Sequence, residues 1–410
     1  MISILHLIQL AWKNIWRRKA RTIISISSLW FTITIIIFSK SMMDGTYGMM
    51  IENTINRFVS YIQIHDVDWS KEKTISNSMT WNKTQSQILN KSQDIIAFSP
   101  RIITVGLLGF GDQTRGIQIV GIDPVKESNV TNFIDKVTKG EFFKQDTSSY
   151  CVIGEKLANK MKVTIGDTLV VMSFDRYGSI SAILSPISGI IMVADPKMDE
   201  FSIFISLEKA KELTSLYNHI SEVAIKVDES DYESVLNDLQ TEFTSNYIVE
   251  GWEKLSPDVL QLISMDKASA VFSMFLLLLI VGFGILNTIY MGIMERTHEF
   301  GIMQAIGVHR FSIVSLAFVE IIFLLAISSI ISTVFSSPFL YYLSLNPIEI
   351  TGQIAEAYSE MGISAVWYFD FTSSPFILAN GFVIGISLIL SVFPLMKLKK
   401  MNVVEALRNV

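Results

Sequence analysis

The sequence predicts a membrane protein with four transmembrane α-helices and a large α+β extracytoplasmic domain between the first and second. Three observations carry this. Four runs have almost no charge: Thr22 to Ser39, Ala268 to Met294, Phe311 to about Leu345 (broken only by Glu320), and about Pro375 to Met396. Each is near or above the roughly 20 residues that cross a bilayer core as a helix. Between the first two lies a stretch with the composition of an ordinary water-soluble domain, and basic clusters flank the first and last runs. With 50% hydrophobic and 18% charged residues the chain is more apolar than a typical soluble protein, yet unevenly so. The net charge of −6 gives no hint of a nucleic-acid partner, and no basic patch interleaved with aromatics is present.

The N-terminal stretch WKNIWRRKAR holds Lys13, Arg17, Arg18, Lys19 and Arg21 with no acidic residue. The positive-inside rule places it in the cytoplasm. Trp12 and Trp16, four apart, suit an amphipathic helix at the interface over residues 1–21. The first span, 22–43, reads as a signal-anchor, because Phe38 to Met43 offers a poor cleavage site. Lys397, Lys399 and Lys400 place the tail, 397–410, inside as well. The other spans follow at 268–293, 311–339 and 373–396, with an outer loop at 340–372. Both termini are then cytoplasmic, and residues 44–267 lie outside.

Within 44–267, Tyr61 to His65, Ile117 to Gly121 and Thr168 to Met172 alternate as half-buried strands do. Glu155 to Met161, Leu207 to Leu216 and Tyr232 to Phe243 have helical apolar spacing. A part at about 122–204 reads as inserted, giving two subdomains. The single cysteine, Cys151, allows no intramolecular disulfide, which fits a bacterial envelope. No GxxxxGK[ST] loop occurs, so the chain has no such route to ATP hydrolysis. Gly106, Gly109, Gly111 and Gly116 mark a hairpin rather than a dinucleotide loop. The histidines have no metal spacing, and His65 with Asp66 and Asp68 reads as a strand end. The chain reads as a non-enzyme that binds no cofactor or metal.

The most specific stretch is MERTHEFGIMQAIGVHR, residues 294–310, a short charged turn between two long apolar runs. It holds two Glu, two Arg, two His and two Gly, more chemistry than a passive loop of its length requires. Glu295, Arg296 and Glu299 are at helical spacing, so the segment reads as a helix that meets a cytoplasmic partner. Glu320, about ten residues into the third span, is a costly place for a carboxylate. A proton relay needs ionisable partners within the other spans, and none is there, so Glu320 reads as packing. Asn287 and Thr288 in the second span read as bonding to neighbouring helices.

These pieces resemble the MacB/FtsX superfamily of ABC-transporter permeases, and within it the lipoprotein-releasing LolC/LolE type. LAWKNIWRRKARTIISI resembles the family's basic helix leading into the first span. MMDGTYGMMIENTINRFVSYIQIH, PRIITVGLLGFGDQTRGIQIVGIDP and CVIGEKLANKMKVTIGDTLVV are similar to segments of its outer domain. MERTHEFGIMQAIGVHR resembles the coupling helix, and MNVVEALRNV the closing motif, with Val403 where proline is usual. After Glu320, where the family tends to have glycines, Ala326, Ser328, Ser329 and Ser332 supply small surface.

The resemblance implies a permease working by mechanotransmission. A coupling helix (Glu295, Arg296, Glu299, Gly301, Ala305, Gly307) docks on a cytoplasmic ABC ATPase dimer, which holds ATP and Mg. A second permease subunit, identical or related, completes the pair. The first two spans move the outer domains, and lipoprotein cargo passes from the outer leaflet to a periplasmic carrier. Met42, Met43, Met265, Phe272 and Met274 offer soft apolar surface for acyl chains or lipids. The carrier grip is placed in Phe174 to Pro196. A MacB-like efflux component for peptides or drugs and an FtsX-like regulator of cell-wall hydrolases are the alternatives.

Overall fold

The structure, a computed structural model, describes residues 4–17, 19–69, 71–143, 149–193, 196–243, 246–353, 355 and 365–399. The closing motif at 401–410, with Val403, lies outside the described residues, as do Arg18 and Lys400. The chain forms two compact units. One holds the described residues of 1–48, 263–350 and 366–410, and the other is built on 49–262.

Among the described residues, four helices are long and apolar enough to cross a membrane. They run Lys19–Thr54, Pro257–Met294, Arg310–Leu345 and Ser374–Lys399, with an N-terminal helix at Ile4–Arg17 and a short one at Thr297–Ala305. The first long helix continues past Met43 to Thr54, and the second begins at Pro257 rather than at 268. The stretch read as outer domain therefore includes helical turns at both ends. Hydropathy marks the apolar part of a helix, whereas Asp44, Thr46 and Glu52 extend the same helix in polar surroundings.

The membrane unit packs Leu29, Ile33, Ile36 and Ile37 of the first long helix with Ile321, Leu325 and Leu340 of the third and Ala379 and Val383 of the fourth. Ser328, Ser332 and Ser336 lie buried at four-residue intervals along the third helix. Such small side chains let two helix backbones approach closely where the bilayer supplies no hydrophobic drive for helix association. Ser328 donates to the Ile26 carbonyl at 3.4 Å, and Thr34 and Ser332 hydroxyls meet at 3.2 Å. Ser329 bonds Asn380 of the fourth helix. Ala326, read as part of this small surface, is exposed instead, because it falls on the opposite side of the helix.

The second unit is built on ten strands: β1 Ile62–Asp66, β2 Ile95–Phe110, β3 Gln113–Ile122, β4 Val137–Gly140, β5 Cys151–Gly154, β6 Thr168–Phe174, β7 Ile180–Ile191, β8 Ser202–Ser206, β9 Glu222–Val227 and β10 Tyr247–Gly251. They form one sheet in the order β10-β1-β9-β2-β3-β8-β5-β7-β4, with β6 bridging β2 and β7. That bridge closes β2-β3-β8-β5-β7-β6 into a six-stranded barrel, which removes unpaired edges there. The glycines at 106, 109, 111 and 116 lie on the β2–β3 hairpin. Gly106 sits where β2 meets β6, and a Cβ there would stand 2.1 Å from the Met172 carbonyl oxygen.

The unit has a main core and a smaller cluster with Phe133, Val152 and Phe204, and the segment read as a separate insertion contributes β4 to β8 to the same sheet. β2 explains this: its 16 residues pair β9 at one end, β6 at the other and β3 along most of its length. Ile117, Ile119, Cys151, Ile153, Leu169, Val171, Ile203 and Ile205 pack together in that core. His65 shares its ring nitrogens with Glu250 (3.0 Å) and the Asp66 carbonyl, and Asp68 pairs with Lys71. The strand end is thus tied up internally.

Cys151 is wholly buried, and burial pushes its thiol up to about 12. Only the thiolate reacts, so alkylation at pH 8 is expected to be on the order of a hundredfold slower in the folded protein than in denaturant. Timed iodoacetamide labelling with mass spectrometry checks this. Equal rates in both states would contradict the barrel interior described here.

Candidate functional site

The charged turn folds as a short helix, Thr297–Ala305, preceded by a two-residue turn at Glu295 and Arg296. Glu295 and Arg296 therefore lie before the helix and only Glu299 is on it, which departs from the helical spacing read for all three. Phe300 and Gly301 are buried, and Phe300 joins Ile293, Ile313 and Ala317 in the membrane-unit core, with Met303 and Val308 packed against it. Gly307 ends the helix at φ +96, donating to the Gln304 carbonyl at 3.0 Å, while Val308 donates to Met303 at 2.9 Å. A left-handed residue at this position is the usual glycine stop signal of a helix. The next helix begins three residues later, with the His309 ring accepting from the Phe311 N–H. One face of the short helix is thereby anchored. The other presents His298, Ile302, Ala305 and Ile306 to solvent, with Ile302 45% and Ile306 75% exposed.

A chain of charges fixes this helix from above. Arg296 donates to Glu320 at 2.6 Å and to Glu299 at 3.2 Å. Glu299 also pairs with Arg17 of the N-terminal helix at 3.2 Å, and Asn14 of that helix donates to Glu320 at 2.8 Å. The Arg296 guanidinium lies 5.1 Å from the Phe300 ring centroid. Glu320, read as a packing residue, is the point on which three segments converge. Its depth differs too. The contacts of Ile26 with Ser328, Trp30 with Phe335 and Phe38 with Phe339 run the first and third long helices side by side in parallel. Glu320 is then level with the start of the first long helix, where its apolar run begins. The physical reason is length. The third helix has 36 residues, about 54 Å at 1.5 Å per residue, against a core of roughly 30 Å.

The other candidates separate. Met42 and Met43 are half-buried, while Met265 and Phe272, seven apart on the second long helix, are exposed. Met274 packs against the helix core instead of facing outward with them. The Tyr47 hydroxyl donates to Asp266, joining the first and second helices at this end. Asn287 is exposed within this chain. Only 7% of the most apolar stretch of its helix is buried within the chain, against 44% for the first. The Thr288 side chain lies outside the described residues.

Residues 22–242 match the family model described as the MacB-like periplasmic core domain, and residues 271–403 that of the FtsX-like permease C-terminal region. The chain belongs to the MacB/FtsX superfamily of ABC-transporter permeases. It is similar to the lipoprotein-releasing system transmembrane protein LolC of Buchnera aphidicola subsp. Schizaphis graminum, 24% identical over 304 residues and 72% of each chain. It is also similar to LolC of Neisseria meningitidis serogroup B, 19% identical over 311 residues, covering 73% of this chain and 72% of that one. Among solved structures, the periplasmic region of MacB from Actinobacillus actinomycetemcomitans aligns with a TM-score of 0.38 and 11% identity, over 52% of this chain and 97% of that one. As an ABC permease of this superfamily, the chain is a multi-pass inner-membrane protein that works with an ABC ATPase and a second permease subunit.

Asn14, Phe300, Ile302 and Ile306 are not among the residues that the sequence marks, and Arg17 is marked only as one of the basic residues before the first span. Ile302 and Ile306 carry a readable signal, since with His298 they recur every four residues on a helix between charged ends. The pairings of Asn14 and Arg17 carry none, because their partners are hundreds of residues away. Removing Glu320 leaves the largely buried Arg296 guanidinium with Glu299 as its charged partner and Asn14 without its acceptor, so Glu320→Ala is expected to destabilise the membrane unit by about 2 kcal/mol. The double-mutant cycle with Asn14→Ala is expected to show coupling of about 1 kcal/mol. Reversible unfolding in bicelles measures both, and strictly additive losses would dissolve the Asn14–Glu320 bond.

Proposed function

We propose that the chain is the permease subunit of a mechanotransmitting ABC transporter that extracts lipoproteins from the outer leaflet of the inner membrane and hands them to a periplasmic carrier. The carrying observation is the short helix at Thr297–Ala305: one face locked into the bundle, the other an exposed His298–Ile302–Ile306 strip. A rigid helix with an apolar, unpartnered face is what a moving subunit needs to push against. An ATPase dimer grips that face, holds ATP and Mg itself, and closes on ATP binding; the permease subunit catalyses nothing. Both termini are cytoplasmic in this reading, as the basic flanks require. Support for the cargo class comes from the relatives named as lipoprotein-releasing proteins, matched over most of their length.

The carrier surface fits the β6–β7 hairpin. Phe174, Ile180 and Leu184 are exposed on its outer face, continuous with Val105 and Leu107 of β2, and Tyr177 at the tip is 81% exposed. The register Leu107↔Met172↔Ala182 and Phe174↔Ile180 puts them on one side of the sheet. A carrier that accepts acyl chains has an apolar mouth, and an apolar sheet face suits it. Lipid and acyl chains meet Met265 and Phe272 on the second long helix.

Ile302→Glu with Ile306→Glu places two carboxylates in the proposed ATPase contact and changes no buried residue. Co-purification of the ATPase is expected to fall at least about tenfold, with the outer domain still folded. ATP-dependent transfer of a lipoprotein to its carrier in proteoliposomes is expected to fall with it. Wild-type ATPase recovery and transfer would contradict the coupling role. ATP turnover by the purified chain alone would contradict the division of labour.

A further inference from the structure

Arg101 is completely buried at the middle of β2, where the strand pairs with β9 on one side and β3 on the other. It grips Glu127 with both arms of its fork, Nε at 3.0 Å and Nη2 at 2.6 Å. Its Nη1 donates to Glu222 on β9 at 3.0 Å and to the Phe58 carbonyl at 2.7 Å, and the guanidinium lies 4.0 Å over the Phe58 ring. Glu127 takes a further bond from Thr131 at 2.7 Å. Burial opposes the charge, but the two carboxylates outweigh it and hold Arg101 above its ordinary range.

Stability alone does not account for such a cluster. Buried ion triads cost desolvation and are often replaced by apolar side chains without loss. What distinguishes this one is where it reaches. Phe58 belongs to the turn Ile55–Val59 that ends the first long helix. Neighbouring groups of that turn are held too. The Asn132 N–H donates to the Asn56 carbonyl at 2.8 Å. Ser60, forced to φ +64, donates from its hydroxyl to the Ile225 carbonyl of β9 at 2.6 Å. The helix end is therefore bonded to β2, β9 and the segment after Val130 before the chain enters β1.

We propose that Arg101 is a positioning residue of the transport cycle: with Glu127 and Glu222 it clamps the Phe58 turn, so that the end of the first long helix and the sheet move as one body. This rests on the mechanotransmission reading above. A helix that pushes on a loosely held sheet spends its stroke in the joint; one clamped at a backbone carbonyl passes it on.

The test uses the permease–ATPase complex in nanodiscs with spin labels at Glu52→Cys and Glu229→Cys. The apolar replacement Arg101→Met with Glu127→Leu and Glu222→Met keeps the buried volume and leaves no stranded charge. Arg101→Lys keeps the charge but not the fork, and serves if the triple variant does not fold. In the wild type a single narrow distance is expected with and without ATP. In the variants the distance distribution broadens, and ATP-driven cargo transfer falls about tenfold at unchanged ATP turnover. A narrow distance in a folded variant overturns the clamp, as does transfer at the wild-type rate. Absence of ATP-driven transfer by the wild type would instead defeat the cargo reading, and the distance measurement would still decide the clamp.

Discussion

The pair formed by Arg296 and Glu320 is the interaction on which the membrane unit depends. An unpaired carboxylate or guanidinium at the edge of hydrocarbon pays a heavy desolvation cost, so each holds the other where it is. That fixes two things together. The third long helix is set at one depth, and the short helix Thr297–Ala305 is held against its first turns. Asn14 and Arg17 add the N-terminal helix to the same centre. Three segments distant in sequence thus converge on one centre, and Ile302 and Ile306 form the exposed face of the short helix that it holds.

The same logic recurs in the second unit. Where the first long helix ends, its last carbonyls must find donors, and Arg101 and Asn132 supply them. The strand that follows, β1, pairs directly with β10, the last strand before the chain returns to the membrane, with Ile62 opposite Gly251. Entry and exit of the domain are therefore hydrogen-bonded neighbours at one edge of the sheet, while the closed barrel lies beyond β2. From that edge the path to the barrel crosses β9 and then β2, the strand that carries Arg101.

Much of this was legible in the chain. The four spans follow from runs without charge, since a bilayer tolerates little else. The alternation of Ile117 to Gly121 and Thr168 to Met172 marks real strands, and Glu155–Met161 is a helix with those limits. The depth of Glu320 was not legible, because Phe311 to Val319 is apolar enough to pass for bilayer while serving as the floor for Phe300. The Arg101 cluster joins residues 26 and 121 positions apart, and no local pattern announces such a meeting.

The central claim is that the Ile302–Ile306 strip is the contact with an ABC ATPase. A photo-crosslinking amino acid placed at Ile306 in native membranes tests it most directly. The expected result is an adduct with a nucleotide-binding ABC ATPase, changed in yield when ATP is bound, and none from the same probe at Leu184. No ATPase adduct at Ile306, or one that forms at Leu184 instead, would contradict it.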